Sequence, residues 1–197
     1  GTIRSEGVGA VVLKSLSAAR RDGDHIYALI KASAQNHKGK SSSLTAPNAK
    51  AEADLIVDVF HKAHVNPSTV NYIEAHSTGT KLGDPIEIEG LKKAFKELYQ
   101  EYGITKVEPN CAISSLKSNM GHLDTASGIA ALIKVVLSLK EKQILGVKDF
   151  KELNPYINLH NTPFYINKHN RSWERTGEGV PRRAGISAFG YGGVNAH

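Results

Sequence analysis

Two histidines in this 197-residue chain stand where their side chains could handle charge on a reacting carbonyl. His76 follows the run Val70 to Ala75 and precedes the turn Ser77-Thr78-Gly79-Thr80. His122 ends the turn Lys117-Ser118-Asn119-Met120-Gly121, after the run Cys111 to Leu116. Each reads as strand, then turn, then helix, and in a parallel α/β sheet such turns share the carboxyl edge, where open sheets place their chemistry. Taken singly, each histidine reads as a hydrogen-bonded structural residue. Taken together, with Lys117 beside His122 and a third glycine turn after the last strand, the balance reverses. Two neutral imidazole N–H groups aimed at one carbonyl oxygen can stabilise an enolate or oxyanion as charge develops.

Other chemistries fit less well. His76 and His122 with Asp84 or Asp124 could be metal ligands, but the chain has neither an HExxH motif nor paired cysteines, so no metal site is expected. Gly79 to Gly83 lacks the lysine and spacing of a phosphate-binding loop, and Gly190-Tyr191-Gly192-Gly193 is followed by no helix. Cys111, the only cysteine, lies at the start of an apparent core strand and reads as structural. It also excludes an internal disulfide and fits a reducing compartment.

The elements that must position these residues follow from periodicity. Gly7 to Lys14 (GVGAVVLK) predicts a buried strand, Ser15 to Arg21 a short helix ended at Asp22-Gly23, and His25 to Ala34 a second strand. Gln35 to Asn48 predicts a loop, and Ala49 to Ala63 a helix with Ala53, Ile56, Val57 and Phe60 on one face. After the strand Val70 to His76, Asp84 is the expected N-cap, Pro85 the first helical residue and Glu87 the capping-box carboxylate. That helix carries Leu91, Phe95 and Leu98 and stops at Gly103. Thr125 to Leu139 is apolar around nearly its whole circumference, which predicts a central, buried helix. Gln143 to Val147 is a weak strand, Phe164 to Ile166 a short one, Trp173 an edge cover, and Arg182 to Ala188 the final strand.

Composition is that of a globular domain, 40% hydrophobic and 22% charged. The net charge of +6 comes from scattered pairs with acidic neighbours, such as Arg20-Arg21 and Lys92-Lys93. That argues against a nucleic-acid partner and leaves a basic surface for an acidic protein, or plain solvated charge. The apolar runs are too short to span a bilayer and no leader opens the chain, so no membrane and a cytoplasmic location are expected. Both ends read as cut, since Gly1 is no initiator methionine and the chain stops just after a glycine turn.

Glu74-Ala-His-Ser-Thr-Gly-Thr80 with Gly83-Asp-Pro-Ile-Glu87, Leu116-Lys-Ser-Asn-Met-Gly-His122 and Gly185-Ile-Ser-Ala-Phe-Gly-Tyr-Gly-Gly-Val-Asn-Ala-His197 resemble three motifs of the β-ketoacyl synthase (ketosynthase) domain of modular polyketide synthases. Glu6 to Ala10 and Leu44 to Asn48 match as well, so the resemblance covers the whole chain. Asn36 to Lys40 and Leu153-Asn154-Pro155 resemble synthases whose acyltransferase is a separate protein.

The resemblance implies a thiolase-like α/β fold in αβαβα layers, with residues 1–24 ending the N-terminal half and 25–197 forming the C-terminal half. It implies decarboxylative Claisen condensation of an acyl thioester with a malonyl-type unit on an acyl carrier protein. His76 and His122 become the catalytic pair, and Lys117 the charge that positions and tunes the His122 region. Thr78 and Thr80 become hydroxyls that bind the phosphopantetheine arm, which is a substrate carrier; no bound cofactor is implied. Tyr191 takes the place of a gating phenylalanine whose backbone N–H serves the oxyanion hole, with Gly192 beside it. The implied partners are the carrier protein, the missing half with its nucleophilic cysteine, and a second copy in a homodimer. The segment alone is expected to be inactive in condensation. Ser77, Ala188 and Val194 depart from the family pattern, and a non-elongating, acyl-holding module that docks the carrier is the alternative.

Overall fold

Side-chain caps set the limits of the first helices in a computed structural model that describes residues 2–39 and 46–197. Gly1 and residues 40–45, and with them Lys40, Leu44, Thr45 and the middle of the predicted loop 35–48, lie outside the described residues. Ser15 Oγ accepts from the Ala18 N–H at the start of α1 (Leu16–Asp22), which ends on left-handed Gly23, φ 72°. β1 (Gln35–His37) follows. Asn48 Oδ1 accepts from the Lys50 and Ala51 N–H groups to open α2 (Ala49–Ala63), with the predicted bounds.

The remaining elements are β2 (Tyr72–Glu74), α3 (Gly83–Glu101), β3 (Cys111–Ser114), α4 (Lys117–Met120) and α5 (Ser127–Glu141). After them come β4 (Gln143–Ile144), β5 (Phe164–Ile166), β6 (Arg171–Ser172), β7 (Ala184–Ile186), β8 (Ala188–Phe189) and β9 (Val194–Ala196).

β5, β3, β2 and β7 form a parallel sheet in that order, with Ile73 in register with Ile113 on one side and Gly185 on the other. Because strand side chains alternate, Ile73 and Ile113 face α2 and α3, while Tyr72 and Ala112 face α5. On the first face Phe95 meets Phe60 and Phe164 edge-on, at 5.4 and 4.8 Å between ring centroids, beside Leu91 and Leu98. Each such buried side chain contributes roughly 1.5–3 kcal/mol. A smaller sheet pairs β1 with β9 and β9 with β8, both antiparallel, and β4 pairs with β6.

Four expectations are corrected. Residues 7–14 form no strand: Val8 and Val12 are almost fully exposed, and no described strand lies beside the run to take its hydrogen bonds. Residues 25–34 form no strand either; among the described residues Ala34 exchanges backbone bonds with His197, at 3.1 Å each, and the ladder continues into β1 inside the predicted loop. α5 is buried along one side, including the polar Ser127, Lys134 and Ser138, while Leu137 is exposed. Its other side borders a cavity of about 490 Å³ lined by Gly9, Leu123, Ile129 and Ile133. Trp173 is fully buried, stacked edge-on to Tyr72 at 5.2 Å, with Nε1 donating to Asn71 Oδ1. Its N–H found a partner, which is what allows an indole to sit in a core.

Candidate active site

β2 delivers His76 two residues beyond its last residue, and the turn that follows is held by carboxylates. Glu87 Oε1 and Oε2 accept from the His76 and Ser77 N–H groups, both at 2.7 Å. Asp84 Oδ1 accepts from the Gly79 N–H at 3.0 Å. This corrects the predicted capping box: α3 begins at Gly83, Leu82 supplies no side-chain cap, and Pro85 is the third helical residue. Both carboxylates serve the turn before the helix, whose amides would otherwise be unpaired, in place of the helix itself. Ser77 sits at φ 33°, a positive value that glycine adopts at lower cost, as its departure from the family pattern suggested.

β3 and α4 deliver the second histidine. Gly121, φ 80°, turns the chain between α4 and His122, and a Cβ there would approach the Ile3 carbonyl to 2.9 Å. The His122 N–H donates to that same carbonyl at 2.7 Å.

The rings of His76 and His122 come together, 5.7 Å apart between centroids and 86° to one another. His76 Nδ1 accepts from the Phe189 N–H at 3.3 Å, and His122 Nδ1 accepts from the Asp124 N–H at 3.0 Å, with Ser127 Oγ 3.1 Å away. A ring nitrogen that accepts from a backbone N–H carries no proton, so in each neutral imidazole the proton is on Nε2. Burial, then Lys117 and then His122 push the His76 imidazolium down to about 3. Burial and then Lys117 lower His122 as well, against the pull of Asp124. Lys117 is itself lowered by burial, opposed by Glu87, Glu74 and Asp84. The outcome is two neutral N–H donors in one place.

The other predicted residues are placed less closely. Thr78 and Thr80 face one another with their hydroxyl oxygens 3.3 Å apart, and Thr80 Oγ1 accepts from the Gly83 N–H at 3.0 Å. Tyr191 and Gly192 lie at the exposed tip between β8 and β9, where the Gly192 carbonyl is 3.1 Å from His37 Nε2. Phe189, two residues before Tyr191, is the aromatic that reaches His76, at 5.5 Å between centroids. Cys111 is free and fully buried, and burial raises its thiol far from reactivity. Among the described residues no three His, Cys, Asp or Glu side chains gather as a metal site, and no helix is long and apolar enough to cross a membrane.

Sequence reasoning assigned no role to two buried residues, Glu74 and Lys134. Glu74 and Lys134 form an ion pair at 2.7 Å. The available signal was a lone lysine in the middle of an otherwise apolar helix, which is costly to bury without a partner.

Residues 27–151 match the family model of the β-ketoacyl synthase, C-terminal domain. The chain belongs to the β-ketoacyl synthase family. This ketosynthase segment is 54% identical over 98% of its length to polyketide synthase PksN of Bacillus subtilis, of which it covers 4%. It is 47% identical over all of its length to PksM of the same organism, of which it covers 5%. The ketosynthase from module 1 of the bacillaene synthase of Bacillus amyloliquefaciens superposes with a TM-score of 0.89 at 42% identity, over the whole segment and 33% of that chain. The module 6 ketosynthase from Bacillus subtilis superposes at 0.86 and 40% identity, over 93% of the segment and 31% of that chain. The fold is therefore thiolase-like, and the segment spans about a third of the solved ketosynthases it matches.

Proposed function

We propose that this segment supplies the decarboxylating half of a polyketide synthase ketosynthase. In the complete enzyme an acyl group rides as a thioester on a cysteine of the N-terminal half, and a malonyl-type unit arrives on the phosphopantetheine arm of an acyl carrier protein. The Nε2–H groups of His76 and His122 donate to the extender's thioester oxygen. Carbon dioxide leaves with cleavage of its C–C bond, and the electron pair becomes the enolate that these donors stabilise. The enolate carbon attacks the acyl thioester and expels the cysteine thiolate. Burial together with Lys117 keeps both rings neutral, Thr78 and Thr80 bind the arm, and Tyr191 gates the site with its N–H, beside Gly192, at the oxyanion. The observation that carries this reading is the pair of perpendicular imidazoles, each with Nδ1 already occupied by a backbone N–H.

The same reading divides the chain at residue 24, with 1–24 ending the N-terminal half. The exposure of Val8, Val12 and Leu13, continued in Tyr27, Leu29 and Ile30, supports a covering layer over this whole stretch in the complete enzyme. The intact enzyme is a cytoplasmic homodimer whose extender comes from a separate acyltransferase. The segment alone, without the nucleophile, condenses nothing.

Condensation by the full-length protein, compared with His76→Ala and His122→Ala, tests the assignment. Loss of condensation in both variants supports it. Equally poor condensation by all three, with acyl loading intact, would make the protein an acyl-holding, carrier-docking module.

A further inference from the structure

Glu74 is the last residue of β2, and its carboxylate is fully buried beneath the two histidine turns. Oε1 accepts from the Leu116 N–H at 2.6 Å, and Oε2 accepts from the Tyr72 hydroxyl at 2.6 Å and from Lys134 Nζ at 2.7 Å. Lys134 Nζ also donates to Ser114 Oγ at 3.1 Å. Leu116 immediately precedes α4, which has no side-chain cap of its own, so its N–H is one of the donors a helix start leaves open. α4 begins with Lys117 and leads through Gly121 to His122. Lys134 belongs to α5, whose first residue, Ser127, places its hydroxyl at His122 Nδ1.

One carboxylate thus joins three segments: β2 two residues before His76, the start of α4 one residue before Lys117, and the helix that abuts His122. A buried ion pair adds little net stability over apolar residues of the same size, so its effect lies in the geometry it fixes. We propose that Glu74 is a positioning residue that sets Lys117 and His122 against His76, with Lys134 holding its carboxylate in aim. This rests on the functional reading above.

The test compares Glu74→Gln/Lys134→Met with Glu74→Leu/Lys134→Met in the full-length protein. Both remove the two charges, and only the glutamine offers the Leu116 N–H an acceptor. Melting temperature, acyl loading by intact mass, and kcat and KM for carbon dioxide release from a malonyl-carrier thioester are measured. Both variants load acyl groups with similar KM, and kcat of the leucine form is about tenfold or more below that of the glutamine form, the scale of a small misplacement. Equal kcat in two folded variants overturns the proposal. If the leucine form does not fold, Glu74→Asp keeps the charge and shortens the reach to Leu116; wild-type kcat there overturns the proposal, and a similar loss with loading intact supports it. Crystal structures read the placement without turnover, so they still decide if the wild type releases no carbon dioxide and the functional reading falls. A shift of Lys117 or the His122 ring by about 1 Å relative to His76 in the leucine form is expected, and Lys117 and His122 both unmoved overturn the proposal.

Discussion

Ser77 stands next to His76 at φ 33°, and its N–H is bound by the carboxylate of Glu87 at 2.7 Å. The clamp holds a non-glycine residue in a conformation that is sterically unfavourable for any side chain and worst for a branched one. Ser77→Gly is therefore neutral or stabilising by up to about 1 kcal/mol, whereas Ser77→Val costs about 1–3 kcal/mol. Denaturant midpoints of the full-length protein measure both. A valine variant as stable as the glycine one would contradict the strained turn.

Glu52 lies against Gly90 of α3 with both carboxyl oxygens buried. Burial, reinforced by Glu87, pushes its carboxyl up to about 8. The folded state then holds a proton that the unfolded chain gives up near 4.5. Stability from this group is complete below that unfolded value and declines as pH rises toward 8. Glu52→Gln keeps the shape without the proton. Unfolding midpoints between pH 5 and 8 fall less steeply in that variant; an unchanged slope would contradict the buried acid.

Burial, and after it Lys117, lowers both histidines, so at neutral pH they act as uncharged donors. Any acidic limb of the pH–rate profile for carbon dioxide release that belongs to either ring lies below the ordinary imidazole value of 6.5. Lys117→Met removes the repulsion and lets the imidazolium forms persist to higher pH, so any acidic limb from His122 moves upward. A limb that stays in place would assign Lys117 a different role.

Gly83 lies under the threonine pair: a Cβ there would come within 2.4 Å of Thr80 Oγ1 and 3.4 Å of Thr78 Oγ1. Gly83→Ala must displace the Thr80 hydroxyl. If that hydroxyl holds the carrier arm, KM for the carrier-bound extender rises about threefold to tenfold, as for one lost hydrogen bond, with acyl loading little changed. An unaltered KM would remove Thr80 from the binding surface.

Several features were legible in the residues themselves. The bounds of α2 were legible because the helical spacing of Ala53, Ile56, Val57 and Phe60 is a local property, and the carboxyl-edge placement of His76 and His122 follows from strand and helix alternation. What was hidden depends on distant partners. Glu87 looks like a capping residue in sequence because nothing local reveals that the His76 and Ser77 amides lie nearer. The GVGAVVLK run has strand composition, but a strand exists only where a neighbour accepts its bonds. Trp173 looked peripheral among polar residues until Asn71, far away in the chain, satisfied its N–H.

The two imidazoles should act on one oxygen as a unit, and a double-mutant cycle on carbon dioxide release from a malonyl-carrier thioester reads this directly. In the full-length protein, His76→Ala and His122→Ala are each expected to lower kcat by about 10²-fold or more, and the double variant by little beyond either single one. Losses that multiply in the double variant, or a single variant that keeps wild-type kcat, would contradict a shared oxygen site.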